Sequence, residues 1–361
     1  MTIRIGDFIP TQKHINAVME VIKSGRLTEG PKVKELEKVM ADYLGVKNAI
    51  LVTNGTVALQ LVATYLRLNS IEKPLNTIVP ALTFPATINA FAVSGYPVGL
   101  CDVNPDLQIN VDNMSKEHKE NTDVLIPVHL MGYPADMDKI MSDAKKYNWI
   151  VVEDACEAFG TEYKGKKVGT IGDFGCFSFY VSHNITAGEL GMVVTNDDKA
   201  AKMMRSMKNH GRTGDNMKFE HSYIGSNYKT TEFCAAIALE NMKNVDKILS
   251  TRKANCQYFL DNIKNDKLKP YPVPEGFSPL GYPIACETEE YRDEICKKLN
   301  ENDIETRGMF PCIANQESYK ELYSHLNFPV SEKLEKTVFY IGCHHLLSKE
   351  DKKKIVKVLS E

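Results

Sequence analysis

The 361-residue chain predicts an α/β fold: a large domain on a mostly parallel sheet over 1–240, followed by a small α+β domain over 241–361. Two observations predict it. In the first two thirds, short runs that are apolar throughout alternate with helical patterns, as in strands covered on both faces. Beyond about residue 240 that alternation stops, and a long helical stretch leads into a proline-rich segment and short mixed elements. At this length two units are the expected arrangement, because single cores stop growing near this size.

The elements follow in order. "NAILVT" at 48–53 reads as a strand, and "TVALQLVATYL" after it as a helix. "NTIVPA", then helical "PATINAFAVSG", then "PVGLCDV" repeat the alternation. "TDVLIPV" at 122–128, helical "DMDKIMSDAKKYN" and "WIVVEDA" at 149–155 continue it. Alternating strands and helices place the strands side by side in one sheet. "FSFYVSHNITAGELGMVVTND" at 177–197 reads as a strand, a tight polar turn and a second strand opening at "GMVVT". The single helical stretch "FCAAIALENMKNVDKILSTRKANCQYFLDNI" joins this part to "KPYPVPEGFSPLGYP", "EEYRDEICKKLNEND", "IETRG" and a final helix "SKEDKKKIVKVLS".

The composition excludes several function classes. Hydrophobic residues make up 43% and charged residues 25%, with a net charge of −3, so no basic footprint for nucleic acid is expected. No apolar run has the length of a membrane span, and "MTIRIGDFIP" lacks the apolar centre of an export signal. Nine cysteines, an odd number without a CxxC pair, are expected to be reduced thiols of a cytoplasmic protein without a bound metal.

Ligands of such sheets sit at the carboxyl ends of the strands, which directs attention to particular residues. Gly55 and Thr56 follow Asn54 between a strand and a helix start, where free N–H groups and the helix dipole suit a phosphate; ordinary capping explains them equally well. Asp154 ends a strongly apolar strand and needs a partner there. A protonated ring nitrogen is one such partner, and a helix cap or salt bridge is the plain alternative. Phe84 suits stacking on a flat ring, although a core role fits it too. Ser178, Asn227 and Lys229 are further possible anion contacts.

Taken together, these stretches resemble the DegT/DnrJ/EryC1/StrS sugar aminotransferase family of fold-type I pyridoxal-phosphate enzymes, whose architecture is that of aspartate aminotransferase. The resemblance runs nearly end to end through "SGRLTEGPKVKELEKVMADYLGVKNAILVTNGTVAL", "VPALTFPATINA", "PVHLMGYPADMD", "VVEDACEAFGTEYKGKKVGTIGDFGCFSF", "NHGR", "SNYKTTEFCAAIALENM" and "DIETRG". It implies that Gly55, Thr56 and Ser178 hold the cofactor phosphate, that Phe84 stacks on the ring and that Asp154 pairs with its nitrogen. Glu157 falls where the family usually has glutamine, near the ring hydroxyl. Asn227 would reach the phosphate from a neighbouring subunit, which implies a homodimer with composite active sites.

One position departs from the family. Its turn reads approximately "SFFGNKTITTGEGGMV", and here "SFYVSHNITAGELGMV" puts His183 on the lysine that normally carries the cofactor. Lys164, Lys166 and Lys167 belong to a separate hairpin. Pyridoxal phosphate and its pyridoxamine form are therefore expected to bind without a covalent bond. Histidine retains the lysine's second task, moving a proton. The same replacement marks a branch of nucleotide-sugar 3-dehydratases, and the resemblance implies their reaction: with L-glutamate as amino donor, a nucleotide-linked 4-keto-6-deoxy sugar loses its 3-hydroxyl. The spacing of the cysteines after His183 matches the type without an iron–sulfur cluster, which acts on GDP-4-keto-6-deoxymannose. An aminotransferase without its lysine, and a non-catalytic binder of cofactor or sugar nucleotide, stay open. Leu190, where the family has glycine, is expected to narrow the approach to the cofactor. Arg26, Arg212, Lys229 and Arg307 are the cations available for a nucleotide diphosphate.

Overall fold

The computed structural model describes residues 2–70, 75–214 and 220–361. Strands β1 (Asn48–Val52), β2 (Thr77–Pro80), β3 (Val98–Cys101), β4 (Val124–Leu125) and β5 (Ile150–Asp154) form at the apolar runs. The short pair β6 (Glu162–Tyr163) and β7 (Lys166–Lys167) makes the lysine-bearing hairpin, before β8 (Phe174–Ser178) and β9 (Gly191–Thr195). Seven strands make one sheet in the order β1-β9-β8-β5-β4-β2-β3. Its pairings are parallel from β8 through to β3, and β9 runs antiparallel to both its neighbours.

Residue alternation shows why the strands are apolar throughout. Along β1, Ile50 and Val52 enter one core with the helices Gly55–Asn69, Pro85–Ala92 and Asp198–Met207. Ala49 and Leu51 enter another, with the helices Pro31–Leu44 and Glu232–Met242. β9 divides likewise, Val193 to the first core and Met192 and Val194 to the second. Successive strand residues point to opposite faces, and with helices on both faces each must be apolar. Every fully buried Val, Leu or Ile contributes about 1.5–3 kcal/mol.

A second sheet comprises β10 (Leu268–Pro270), β11 (Tyr282–Cys286), β12 (Thr306–Gly308) and β13 (Val338–Ile341), all antiparallel in the order β10-β11-β13-β12. The helices Val245–Asn262, Glu289–Glu301 and Lys349–Ser360 contribute to its core, as do Ile3 and Ile5 from the start of the chain. Two expectations are corrected here. The stretch expected as one helix is two, Glu232–Met242 and Val245–Asn262, broken at Asn244 (φ −124°, ψ 18°), a residue whose side chain competes with helical bonds. The turn between β8 and β9 is not tight: it covers 179–190 and forms its own bonds, from the Phe179 N–H to the Leu190 carbonyl and from the Ala187 N–H to the Phe179 carbonyl, each 2.8 Å.

Candidate active site

A cavity of about 420 Å³ opens at the carboxyl ends of β1, β2, β4, β5 and β8. Seven of the residues singled out above line its large-sheet side: Gly55, Thr56, Phe84, Asp154, Glu157, Ser178 and His183. Arg307, Phe310 and Tyr340 close it from the second sheet, where the β12–β13 register sets Arg307 opposite Tyr340.

The helix Gly55–Asn69 starts at the cavity. Asn54 caps it, its Oδ1 accepting the Val57 N–H at 3.0 Å. Two glycines permit the close packing this needs. A Cβ on Gly191 would lie 2.1 Å from the Asn54 carbonyl oxygen, and one on Gly55 would lie 2.8 Å from Ser178 Cβ. The first N–H groups of the helix have no partner within it, and they belong to the residues lining the cavity. Together with the Ser178 hydroxyl they suit a phosphate.

Asp154 is 5% exposed at the end of β5. Its Oδ1 accepts the Cys156 N–H at 3.2 Å and its Oδ2 the Thr87 hydroxyl at 2.8 Å. Thr87 donates there, so it accepts from Thr83, 2.9 Å away. Among the described residues no lysine or arginine pairs with Asp154. A nearly buried carboxylate in a cavity wall with no cation of its own fits a protonated ring nitrogen. Its neighbour Glu153 faces the other way. Its oxygens take the N–H groups of Gly169, Ile171 and Gly172 at 2.6–2.7 Å, with His129 Nε2 at 2.9 Å.

His183 is half-buried in the 179–190 segment. Its Nδ1 lies 3.1 Å from the Ser178 carbonyl, which only accepts, so Nδ1 carries the proton and Nε2 is the basic nitrogen. Burial lowers its pKa to about 4, Arg252 acting in the same sense and the Ser178 and Cys156 carbonyls opposing. The ring is therefore neutral near pH 7. Next to it Asn184 is buried, its Nδ2 donating to the Phe159 carbonyl and to Ser278. Tyr180 meets the His183 ring edge-on at 5.9 Å. Phe84 sits 5.5 Å from Phe310, ring to ring.

Glu157 accepts the Met131 N–H at 2.9 Å through Oε2. Burial raises its carboxyl to about 7, the Met131 N–H opposing and Asp154 adding to the rise.

Leu190 does not narrow the cavity. It is fully buried in the core beneath the Pro31–Leu44 helix, and Glu189 reaches the cavity instead. No lysine lines the cavity among the described residues, and Lys164 pairs with Asp138. Arg26, Arg212, Lys229 and Asn227 lie outside this cavity. Arg26 lines a second recess with Glu20 and Lys32, and Lys229 donates to Asn209 Oδ1 at 2.6 Å. Arg212 bridges His221, and Asn227 is exposed and bridges Asn209. Sequence reasoning gave no role to Thr83, Thr87, Tyr180, Glu189, Phe310 or Tyr340. Thr87 sits in the first turn of a helix opened by Pro85, where only that helix's position against β5 reveals its contact.

The model of the DegT/DnrJ/EryC1/StrS aminotransferase family matches residues 9–360. The chain belongs to this family. Pyridoxal phosphate is the family's cofactor. Among DegT/DnrJ/EryC1/StrS relatives, GDP-perosamine synthase of Escherichia coli is 33% identical over 310 residues, 85% of this chain and 83% of that protein. Helicobacter pylori PseC, an aminotransferase of pseudoaminic acid biosynthesis, superposes with a TM-score of 0.94 at 24% identity, covering 99% of this chain and 98% of that one. The E. coli GDP-4-keto-6-deoxy-D-mannose-3-dehydratase with bound hydrated pyridoxal phosphate gives 0.91 at 24%, covering 99% and 100%. At these identities the two structures speak to the fold.

Proposed function

We propose that the protein is a 3-dehydratase of a nucleotide-linked 4-keto-6-deoxy sugar, with GDP the first nucleotide to try. The observation that carries this reading is His183, a neutral base lining a cavity where no described lysine does. When bound without a covalent link, pyridoxal phosphate, aminated by L-glutamate, supplies an amine for a keto group and a ring that takes up electrons. Gly55, Thr56 and Ser178 would hold its phosphate and Phe84 its ring face, while Asp154 keeps the ring nitrogen charged. His183 Nε2 takes a proton near the reacting carbon, and the imidazolium then returns it to the departing 3-oxygen. Arg307 would face the substrate. Overall, glutamate and sugar give 2-oxoglutarate, ammonia and a 3,6-dideoxy-4-keto sugar.

The aminotransferase reading is favoured by the relatives named as GDP-perosamine synthases. Incubation with pyridoxal phosphate, glutamate and a panel of nucleotide-linked 4-keto-6-deoxy sugars separates the two. A ketone lighter by one oxygen, with ammonia matching 2-oxoglutarate, supports the dehydratase. A 4-amino sugar without ammonia overturns it, and no product from any sugar favours a non-catalytic binder. We place the protein in the cytoplasm, where its nine free cysteines stay reduced. No helix among the described residues is long and apolar enough to cross a membrane. A homodimer in which Asn227 completes the partner's site, and a division of the chain at 240/241, belong to the same proposal.

A further inference from the structure

We propose that Glu157 works as a proton-bearing carboxylic acid: Oε2 accepts the Met131 N–H, and the hydroxyl on Oε1 is offered to an oxygen of the molecule filling the cavity. The proposal rests on the reading of this cavity as a pyridoxal phosphate site, and one arm of its test does not.

The geometry favours the neutral acid in three ways. First, Glu157 makes no ion pair among the described residues, and its one protein hydrogen bond comes from Met131. Met131 is held in the left-handed region at φ 56°, ψ 15°, a conformation uncommon outside glycine, and its N–H is delivered to Glu157 from that conformation. Glu157 is half-buried in the cavity wall, and a single N–H compensates a carboxylate drawn out of water poorly. Second, the charge facing Glu157 is of its own sign. Asp154 stands on its own segment and needs its charge for the ring nitrogen, the Cys156 thiol beside it is pushed up by burial and carries no charge, and Glu189 lines the same cavity. His183, from the 179–190 segment, is neutral. Third, Arg307, the cation that the second sheet brings to the cavity among the described residues, is engaged by groups other than Glu157. Tyr340 faces the site with its hydroxyl pushed up to about 12 by burial, the charge of Glu157 adding to the rise and Arg307 opposing it. Arg307 is turned to Glu305, its Nη2 3.2 Å from Oε1. The carboxyl's own displacement to about 7 agrees with these surroundings.

His183 and Glu157 thus divide the work. Two titratable groups of one cavity are displaced in opposite directions, the pattern by which a site obtains a base and an acid at one pH. A glutamine at 157 would reproduce both contacts, with its carbonyl on Met131 and its amide donating inward, at every pH. Glutamate does so only while protonated.

The test compares the wild type with Glu157→Gln and Glu157→Ala. In the ligand-free protein, chemical denaturation is followed against pH. A folded-state value raised from 4.5 to about 7 gives stability that is complete below pH 4.5 and lost as pH rises through 7. The wild type is therefore expected to lose stability relative to E157Q across that window; parallel profiles would overturn the proposal. In the second arm, pyridoxal phosphate affinity is measured by quenching of protein fluorescence. Wild-type affinity is expected to fall about tenfold relative to E157Q between pH 6 and 8, as the protonated fraction falls, and E157A is expected to bind weakly throughout. Equal pH dependence in wild type and E157Q would overturn the donor role. Absence of binding by any of the three, with the stability difference intact, would overturn the cofactor reading and the donor role built on it, while the bound proton stands.

Discussion

At the residue scale the proposed chemistry turns on His183. Its neutral state near pH 7 is a consequence of burial, so as a base it loses activity only when it is protonated. The acid limb of kcat/KM is expected near pH 4, well below the ordinary 6.5 of a histidine. The same displacement means that the folded chain binds fewer protons, so stability present above pH 6.5 is lost as pH falls toward 4. His183→Asn is expected to cut dehydration about 10²–10⁴-fold while pyridoxal phosphate still binds, measured by product formation and by cofactor titration. Thr87→Val tests the support of Asp154. It removes a donor from a nearly buried carboxylate and orphans Thr83, and a loss of about 1–3 kcal/mol is expected on denaturation. A reading of the residues picks out Asp154 from its place at the strand end and gives its neighbour Glu153 no role. Glu153 and Asp154 are both buried at a strand end, and only the opposite facing of successive strand residues separates the structural carboxylate from the one in the cavity wall.

At the scale of elements, the strands were legible because helices cover both faces of the sheet and force continuous apolar runs. β9 coincides with "GMVVT", and β1 and β5 fall within one residue or so of their apolar runs. The connections were less legible. The 179–190 segment reads as polar, yet Asn184 draws it inward by bonding to Phe159 and Ser278, contacts 25 and 94 residues away in sequence. The loop 169–172 is likewise fixed at a distance by Glu153. Glu153→Ala leaves three N–H groups and His129 without their acceptor, and a loss of about 3–5 kcal/mol is expected, read as a lowered denaturation midpoint. No periodicity in the chain announces such long-range polar ties.

Over the whole molecule, the cavity is a seam. The first sheet supplies Gly55, Thr56, Ser178, Asp154 and His183; the second supplies Arg307, Phe310 and Tyr340. The first set stood out in the sequence because strand-to-helix turns carry recognisable residues, whereas only Arg307 of the second set did, because nothing local marks a strand that meets a distant site. Pyridoxal phosphate in solution is expected to raise the unfolding temperature, by about 2.7 kcal/mol of stabilisation at a hundredfold excess over Kd. Borohydride treatment followed by peptide mass mapping is expected to find no cofactor attached at 177–197. The backbone of the 179–190 segment is fastened by Phe179, Asn184, Ala187 and Leu190, and position 183 adds one N–H to the Tyr180 carbonyl, a contact any residue except proline keeps. The segment is thus a socket. On the proposed function, the choice between tethering the cofactor and leaving it to come and go would rest on one interchangeable side chain, and the two chemistries could be exchanged here without rebuilding the scaffold around it.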